Sequence, residues 1–82
     1  MMTVTIRLFA RARDLAGADF VALDLPDAAT VANLRQRLAE RVPALVVLLP
    51  RCAVAVNEEV ADDSTAVQPG SDVALLPPVS GG

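Results

Sequence analysis

The sequence predicts an α+β domain in which a mixed β-sheet packs against one main helix. Three observations favour this class: an alternating apolar segment near the start, one amphipathic helical segment in the middle, and short apolar segments between turn residues afterwards. The length of 82 residues allows one hydrophobic core, and a hydrophobic content of 54% is typical of a folded chain. We expect the domain to cover residues 1–76 and a flexible tail to cover residues 77–82.

Residues 3–10 alternate between apolar and polar side chains, which predicts the first strand. Its core face carries Val4, Ile6 and Leu8. Its outer face carries Thr5, Arg7 and Phe9. Residues 13–17 predict a turn, and residues 19–25 predict a second strand with Val21, Leu23 and Leu25 directed inward. The two strands are therefore expected to form a hairpin.

The main helix is predicted to begin after Thr30, a residue type that favours the N-cap position. Apolar residues then recur at helical spacing, at Val31, Leu34, Leu38 and Val42. Pro43 ends the helix, because proline disfavours helical backbone in the residue before it. Residues 44–49 are apolar but too short for a periodicity to show, so a single helical turn and an apolar loop both remain open.

The last part of the chain predicts short strands. Residues 52–56 form the third strand, in which Cys52 is a small buried hydrophobe, and residues 57–59 form a turn. Residues 68–72 form another turn that leads into a final strand at residues 73–76, with a short strand or loop between the two turns. In the final strand we expect Val73 and Leu75 to face the core and Leu76 to face outward.

Composition excludes several classes of function. The chain has no histidine and no lysine, so it lacks the usual general base and the amine of Schiff-base chemistry. A single cysteine excludes an internal disulfide and a zinc site built on cysteines, and we expect no metal site. The net charge of −3 and the scattered arginines argue against a nucleic-acid surface. Neither a membrane-spanning run nor a signal peptide is apparent, so a cytoplasmic protein is expected.

The C-terminal segment suggests a function. Two glycines at the end form a thin peptide that fits a narrow channel, and the preceding Pro77 and Pro78 stiffen the approach. Extended at roughly 3.3 Å per residue, residues 77–82 reach about 20 Å. A frayed terminus is the alternative interpretation on composition alone.

Five stretches together resemble the small subunit of molybdopterin synthase, a ubiquitin-like β-grasp sulfur carrier. They span nearly the whole chain: residues 8–17 (LFARARDLAG), 30–35 (TVANLR), 54–57 (VAVN), 69–74 (PGSDVA) and 77–82 (PPVSGG). One departure is Leu75 and Leu76, which stand where the family commonly has an aromatic residue before the tail. The strand-strand-helix-strand order of that family matches the order read from this sequence.

The resemblance implies a carrier without catalytic side chains of its own. A ubiquitin-activating-type enzyme would use ATP and magnesium to adenylate the carboxyl group of Gly82, next to Gly81, and a sulfur donor protein would then convert it to a thiocarboxylate. The tail would enter a pocket of the large synthase subunit, which supplies the catalytic residues. There the sulfur would pass to cyclic pyranopterin monophosphate to build molybdopterin, and no cofactor would be stably bound to the carrier.

A docking surface is expected around the root of the tail. Strand alternation places Phe9 and Leu76 on the outer face, where an apolar patch beside the tail favours partner docking. The other residues expected to contact partners are Arg13, Pro77, Pro78, Val79 and Ser80. Local packing of Phe9 against Phe20 across the hairpin, and a solvated Arg13, are the structural alternatives.

Two other functions stay open on sequence alone. The same sulfur chemistry serves thiazole, cysteine or tungsten-cofactor synthesis in other carriers of this kind. A ubiquitin-like binding module that is never activated is the third possibility. Adenylation of the terminus separates the carriers from the binding module.

Overall fold

The computed structural model describes residues 1–78, which form a five-stranded sheet with the main helix packed on one face. The strands and helices in chain order are β1 (Met2–Leu8), α1 (Ala10–Ala16), β2 (Phe20–Leu25), α2 (Val31–Arg41), β3 (Ala53–Val56), β4 (Glu59–Ala61) and β5 (Val73–Leu76). Two 3₁₀ helices, at Pro43–Leu45 and Leu49–Arg51, connect α2 to β3. This arrangement confirms the predicted α+β class.

The sheet is mixed, with strand order β2-β1-β5-β3-β4. β1 pairs with β5 in parallel, while β1 with β2, β3 with β4 and β3 with β5 are antiparallel. The last strand in the sequence therefore lies at the centre of the sheet. The predicted pairing of the first two strands is confirmed, although a helix connects them.

The core lies between the inner face of the sheet and α2. Burial alternates along β1, with Val4, Ile6 and Leu8 inside as predicted. Leu23 and Leu25 are buried as predicted, whereas Val21 is half-buried against the edge of the core.

α2 begins after Thr30 as the sequence predicts and ends at Arg41, so Val42, predicted as the last residue of the apolar stripe, is the C-cap and not part of the helix. The backbone amide of Asn33 donates to Thr30 Oγ1 at 3.4 Å, and the amide of Thr30 donates to Asn33 Oδ1 at 2.9 Å, which forms a reciprocal capping box. The apolar stripe is buried at Val31, Leu34 and Leu38, and the helix stops before Pro43.

The segment predicted as a turn at residues 13–17 is instead the end of the short helix α1. Ala12 is fully buried, so the helix packs on the core through alanine. Gly17 closes it with a left-handed backbone (φ 69°), and the Gly17 amide donates to the carbonyl of Arg13 at 2.9 Å. No side chain caps its N-terminus, and a helix of two turns is too short for periodicity to show, which is why the sequence pattern missed it.

The apolar segment at residues 44–49 closes one end of the core with 3₁₀ turns. Leu45, Leu48 and Leu49 are buried there. The guanidinium of Arg35 holds this connection in place, because it donates to the carbonyls of Leu49 and Cys52, each at 2.8 Å. The Leu49 carbonyl also accepts from the Cys52 amide at 3.1 Å, so Arg35 is a second donor there, while it supplies a donor to the Cys52 carbonyl just before β3.

The third strand begins at Ala53, one residue later than predicted, and Cys52 lies buried immediately before it. The turn after β3 is tighter than predicted, because Glu59 already belongs to β4. Asn57 and Glu58 form that turn with positive φ angles of 51° and 70°, the backbone pattern of a type I′ hairpin.

Candidate functional site

The root of the C-terminal tail lies where three central strands come together. Leu8 of β1 pairs with Leu75 of β5, and Ala53 of β3 pairs with Leu76. The end of β1 and the start of β3 therefore flank the point at which the chain leaves the sheet. Because α1 follows β1 and the 3₁₀ helix Leu49–Arg51 precedes β3, residues of both helices also lie near the tail root.

The outer face of the sheet carries Phe9 and Leu76 beside this point. Val73 and Leu75 are buried and Leu76 is half-buried, as the alternation predicted. β1 ends at Leu8, so Phe9 is the N-cap residue of α1 and not a strand residue as predicted. Its backbone is still extended (φ −130°, ψ 154°), which continues the alternation, and 42% of the residue is exposed.

Phe20 of β2 lies opposite Arg7, and Arg7 is two positions before Phe9 in the sequence. Phe20 is 62% exposed. The row that crosses all five strands at this register is Phe20, Arg7, Ala74, Ala55 and Val60. Val60 is 71% exposed. At this register the outer face carries exposed apolar side chains on its two edge strands and alanines on β5 and β3, and Arg7, which pairs with Asp72 at 2.9 Å, interrupts them. Val60 could not be selected from the sequence, because a strand of three residues shows no clear alternation.

A second feature lies on the helix side of the tail root. We call it the root cleft; its volume is about 670 Å³. It is lined by Ala10, Arg11, Leu15, Ala44, Val47, Leu48, Arg51, Pro77 and Pro78. Arg11, Val47 and Arg51 could not be selected from the sequence, because they come from α1, the turn between the two 3₁₀ helices and the second 3₁₀ helix, whose packing no local pattern specifies.

The other residues predicted to contact partners differ in where they lie. Arg13 is exposed on α1, 3.9 Å from the carboxylate of Asp14, and does not line the root cleft. Pro77 and Pro78 are half-buried and line it. Val79, Ser80, Gly81 and Gly82 lie outside the described residues, so their predicted roles stay predictions.

Side chains with reactive groups have structural roles in residues 1–78. Cys52 is 5% exposed, and burial raises the pKa of its thiol, an effect that the nearby Arg35 partly opposes. Ser64 and Thr65 donate to Asp62 and lower the pKa of its carboxyl, while Asp63 accepts from Arg35 Nε at 2.9 Å.

No group of three or more histidine, cysteine or acidic side chains within residues 1–78 is placed to hold a metal ion. In that part of the chain no helix has both the length and the apolar character needed to cross a membrane.

The chain is similar to known sulfur carriers over nearly its whole length. A model of the ThiS family matches residues 6–82. The molybdopterin synthase sulfur carrier subunit of Arabidopsis thaliana is 35% identical over 96% of this chain and 82% of its own length. The corresponding subunit of Chlamydomonas reinhardtii is 32% identical and covers 99% of this chain and all of its own.

Solved structures agree on the fold. SAMP1 from Haloferax volcanii superposes with a TM-score of 0.87 at 32% identity, covering 98% of this chain and 99% of its own. One chain from a complex of subunits 1 and 2 of molybdopterin-converting factor from Helicobacter pylori superposes with a TM-score of 0.70 at 28% identity. The match covers 99% of this chain and all of that chain. These similarities confirm the ubiquitin-like β-grasp fold.

Proposed function

This chain belongs to the ThiS family and to the sulfur carrier subunits of molybdopterin synthase, and we propose that it carries sulfur as a thiocarboxylate on Gly82. The observation that supports this most is the position of the tail root. Pro77 and Pro78 follow the central strand β5 directly and form part of the wall of the root cleft, beside the outer face that carries Phe9 and Leu76. A partner that grips this end of the domain therefore has fixed surfaces on both sides of the segment that leads to Gly82.

Loading requires activation, because a carboxylate is a poor electrophile. In the proposed first step a carboxylate oxygen of Gly82 attacks the α-phosphorus of ATP and pyrophosphate leaves, which gives an acyl-adenylate. A sulfur nucleophile from a donor protein then attacks the carbonyl carbon and AMP leaves. With the outer sulfur of a cysteine persulfide as that nucleophile, the product of this attack is an acyl disulfide. A second cysteine thiolate, on the donor or on the adenylating enzyme, then attacks the sulfur that belongs to the donor and breaks the S–S bond. The thiocarboxylate leaves, and the two cysteines are oxidised to a disulfide. Magnesium and ATP belong to the adenylating enzyme in this scheme.

Delivery depends on a second partner. The proposed acceptor of the tail is the large subunit of molybdopterin synthase, which holds cyclic pyranopterin monophosphate and supplies the catalytic side chains. Because a dithiolene contains two sulfur atoms and each chain brings one, two loaded carriers would be consumed for each molybdopterin formed. We place this exchange in the cytoplasm.

The carrier's own residues would act by binding and positioning. Phe9 and Leu76 present the apolar outer face beside the tail root, and Pro77 and Pro78 restrict the directions in which the tail leaves. A stiff approach lowers the conformational entropy lost when the tail is held in a channel.

The test is a reconstitution from purified components. The chain is incubated with the adenylating enzyme, ATP, magnesium and a sulfur donor, and is then mixed with the large subunit and cyclic pyranopterin monophosphate. Molybdopterin should form, and its amount should rise with the amount of loaded carrier. Failure to form it with demonstrably loaded carrier would point to a thiazole, cysteine or tungsten-cofactor route.

A second candidate function is protein modification. The similarity to SAMP1 from Haloferax volcanii favours it, since that protein is small archaeal modifier protein 1. The same acyl-adenylate would then be attacked by an amine of another protein, forming an amide at Gly82. Because this chain has no lysine, it offers no lysine side chain for attachment of a further copy. Mass spectrometry of tryptic peptides from the native cell would reveal such conjugates as lysines that carry the C-terminal residues of this chain.

A further inference from the structure

We propose that the root cleft binds an acidic, apolar segment of the large synthase subunit, with Arg11 and Arg51 pairing with its carboxylates. This inference rests on the proposed function, because it assumes that the large subunit receives the tail. It adds a second contact surface, on the helix side of the tail root, to the one on the outer face of the sheet.

Apolar side chains that line the root cleft are exposed to solvent in the isolated chain. Val47 is 86% exposed and Leu15 is 38% exposed, and both line the cleft together with the half-buried Pro77 and Pro78. Apolar side chains gathered in a concave surface favour an apolar occupant, because each buried Å² of apolar surface contributes about 25 cal/mol.

The charge of the cleft is opposite to that of the molecule. The chain carries a net charge of −3, yet the charged residues that line the cleft are Arg11 and Arg51, with no acidic residue among the lining. Within residues 1–78 neither arginine lies within 4 Å of a carboxylate, whereas Arg7, Arg13 and Arg35 do. Two exposed guanidinium groups beside an apolar floor are complementary to a segment that carries both acidic and apolar side chains.

Position indicates that this segment belongs to a partner that receives the tail, and the large subunit is the partner that does so at delivery in the proposed function. Pro77 and Pro78 form part of the cleft wall, and Leu76, immediately before them, belongs to the outer face. A protein that encloses the tail from its root must therefore pass over the cleft. A second copy of this chain is a poor occupant, because two copies that meet symmetrically at this surface would bring Arg11 and Arg51 of one copy close to the same two arginines of the other, and these like charges repel.

The test compares the affinity of charge-reversal variants for the large subunit. In the double variant Arg11→Glu/Arg51→Glu we expect the dissociation constant to rise at least about tenfold, with a weaker dependence on salt than in the wild type. The matched control is Arg37→Glu/Arg41→Glu, which reverses two exposed arginines on α2 that also lie beyond 4 Å of any carboxylate in residues 1–78 and do not line the cleft. We expect the control to change the dissociation constant less than about twofold.

Circular dichroism and thermal unfolding establish that each variant is folded, and Arg11→Gln/Arg51→Gln serves as a milder pair that should show a smaller loss in the same direction. If Arg11→Glu/Arg51→Glu and Arg11→Gln/Arg51→Gln bind the large subunit as tightly as the wild type, the proposal is overturned and the proposed function stays intact. The proposal is also overturned if only the affinity for the adenylating enzyme falls, or if the control Arg37→Glu/Arg41→Glu loses as much affinity for the large subunit. If the wild type itself does not bind the large subunit, the proposed function fails and this inference fails with it.

Discussion

Leu8 of β1 and Leu75 of β5 pair in parallel register at the centre of the sheet, so the two strands end side by side. Each strand then places its next residue at the root of the tail: Phe9 after Leu8, and Leu76 after Leu75. This relationship connects residues that are far apart in the sequence and brings an aromatic ring next to the segment that leads to Gly82. It underlies the first prediction.

Phe9→Ala should weaken binding to the large subunit much more than it destabilises the domain. A central aromatic at an interface commonly contributes about 2 kcal/mol or more, which is roughly a thirtyfold change in dissociation constant. The free domain should lose well under the roughly 3 kcal/mol typical of a core phenylalanine, because the residue is 42% exposed. Calorimetric titration and urea unfolding measure the two effects.

Phe20→Ala is the comparison, since it removes the same side chain from the edge strand β2, where 62% of the residue is exposed. We expect a smaller loss of affinity than for Phe9→Ala, because Phe20 is separated from the central strand β5 by β1. An unchanged affinity of Phe9→Ala combined with a large loss of stability would place Phe9 in the core and remove it from the docking surface.

Removal of Gly82, or addition of one residue after it, should abolish sulfur transfer and leave the fold intact. The last strand ends at Leu76, six residues before Gly82, so thermal unfolding should shift little. The reacting carboxyl group, in contrast, would be displaced by about 3.5 Å, a distance that catalysis rarely tolerates. Thiocarboxylate loading and molybdopterin formation are assayed side by side with unfolding. An extended chain that loads and transfers sulfur without being trimmed would contradict the proposed role of Gly82.

Cys52→Ala should keep thiocarboxylate formation and cost on the order of 1 kcal/mol of stability through lost packing. The native thiol is 5% exposed and burial raises its pKa, so wild-type Cys52 should also react slowly with iodoacetamide at neutral pH. Abolished loading in a folded Cys52→Ala variant would instead identify this thiol as a sulfur relay.

The same thiol has a consequence for pH dependence. Its pKa is raised in the native state, so its contribution to stability is fully present below the pKa of the unfolded thiol. That contribution is lost as the pH rises toward the higher native pKa. Urea unfolding in alkaline buffers should therefore show that the free energy of unfolding falls with rising pH in the wild type, and that it falls less steeply in Cys52→Ala. Parallel pH profiles for the two proteins would contradict the assigned pKa direction.

Arg35→Ala should destabilise the domain by about 2 kcal/mol, because it removes the side-chain donor to the Cys52 carbonyl, one of two donors to the Leu49 carbonyl, and the ion pair with Asp63. Arg35→Lys should recover only part of this, since an ammonium cannot reproduce the fork that reaches all three groups. Arg37→Ala on the exposed side of the same helix should stay within about 0.5 kcal/mol of wild type. A similar stability for Arg35→Ala and Arg37→Ala in urea unfolding would show that the connection does not depend on Arg35.

Much of the fold follows from local sequence signals. Thr30 and the stripe of Val31, Leu34 and Leu38 determine the start and the buried face of α2, and Pro43 determines its end to within two residues. β1 could be predicted for the same reason, because its one-sided burial leaves a strict alternation in the sequence.

The parts that were missed depend on tertiary contacts. α1 is recognisable only once Ala12 is seen to be buried against the core, since alanines between arginines do not mark a face. The root cleft brings together α1, the 3₁₀ segments and Pro77 to Pro78, which lie far apart in the sequence. No local sequence pattern specifies how these segments pack together, so Arg11 and Arg51 could not be predicted as site residues from the sequence.

Intact-mass spectrometry of the chain, before and after incubation with the adenylating enzyme, ATP, magnesium and a sulfur donor, tests the sulfur-carrier function most directly. We predict a mass increase equal to the exchange of one oxygen atom for one sulfur atom, located by fragmentation to Gly82 and absent when ATP is omitted. A chain whose mass stays unchanged under conditions that load a known carrier, or whose added sulfur is located on Cys52, would contradict it.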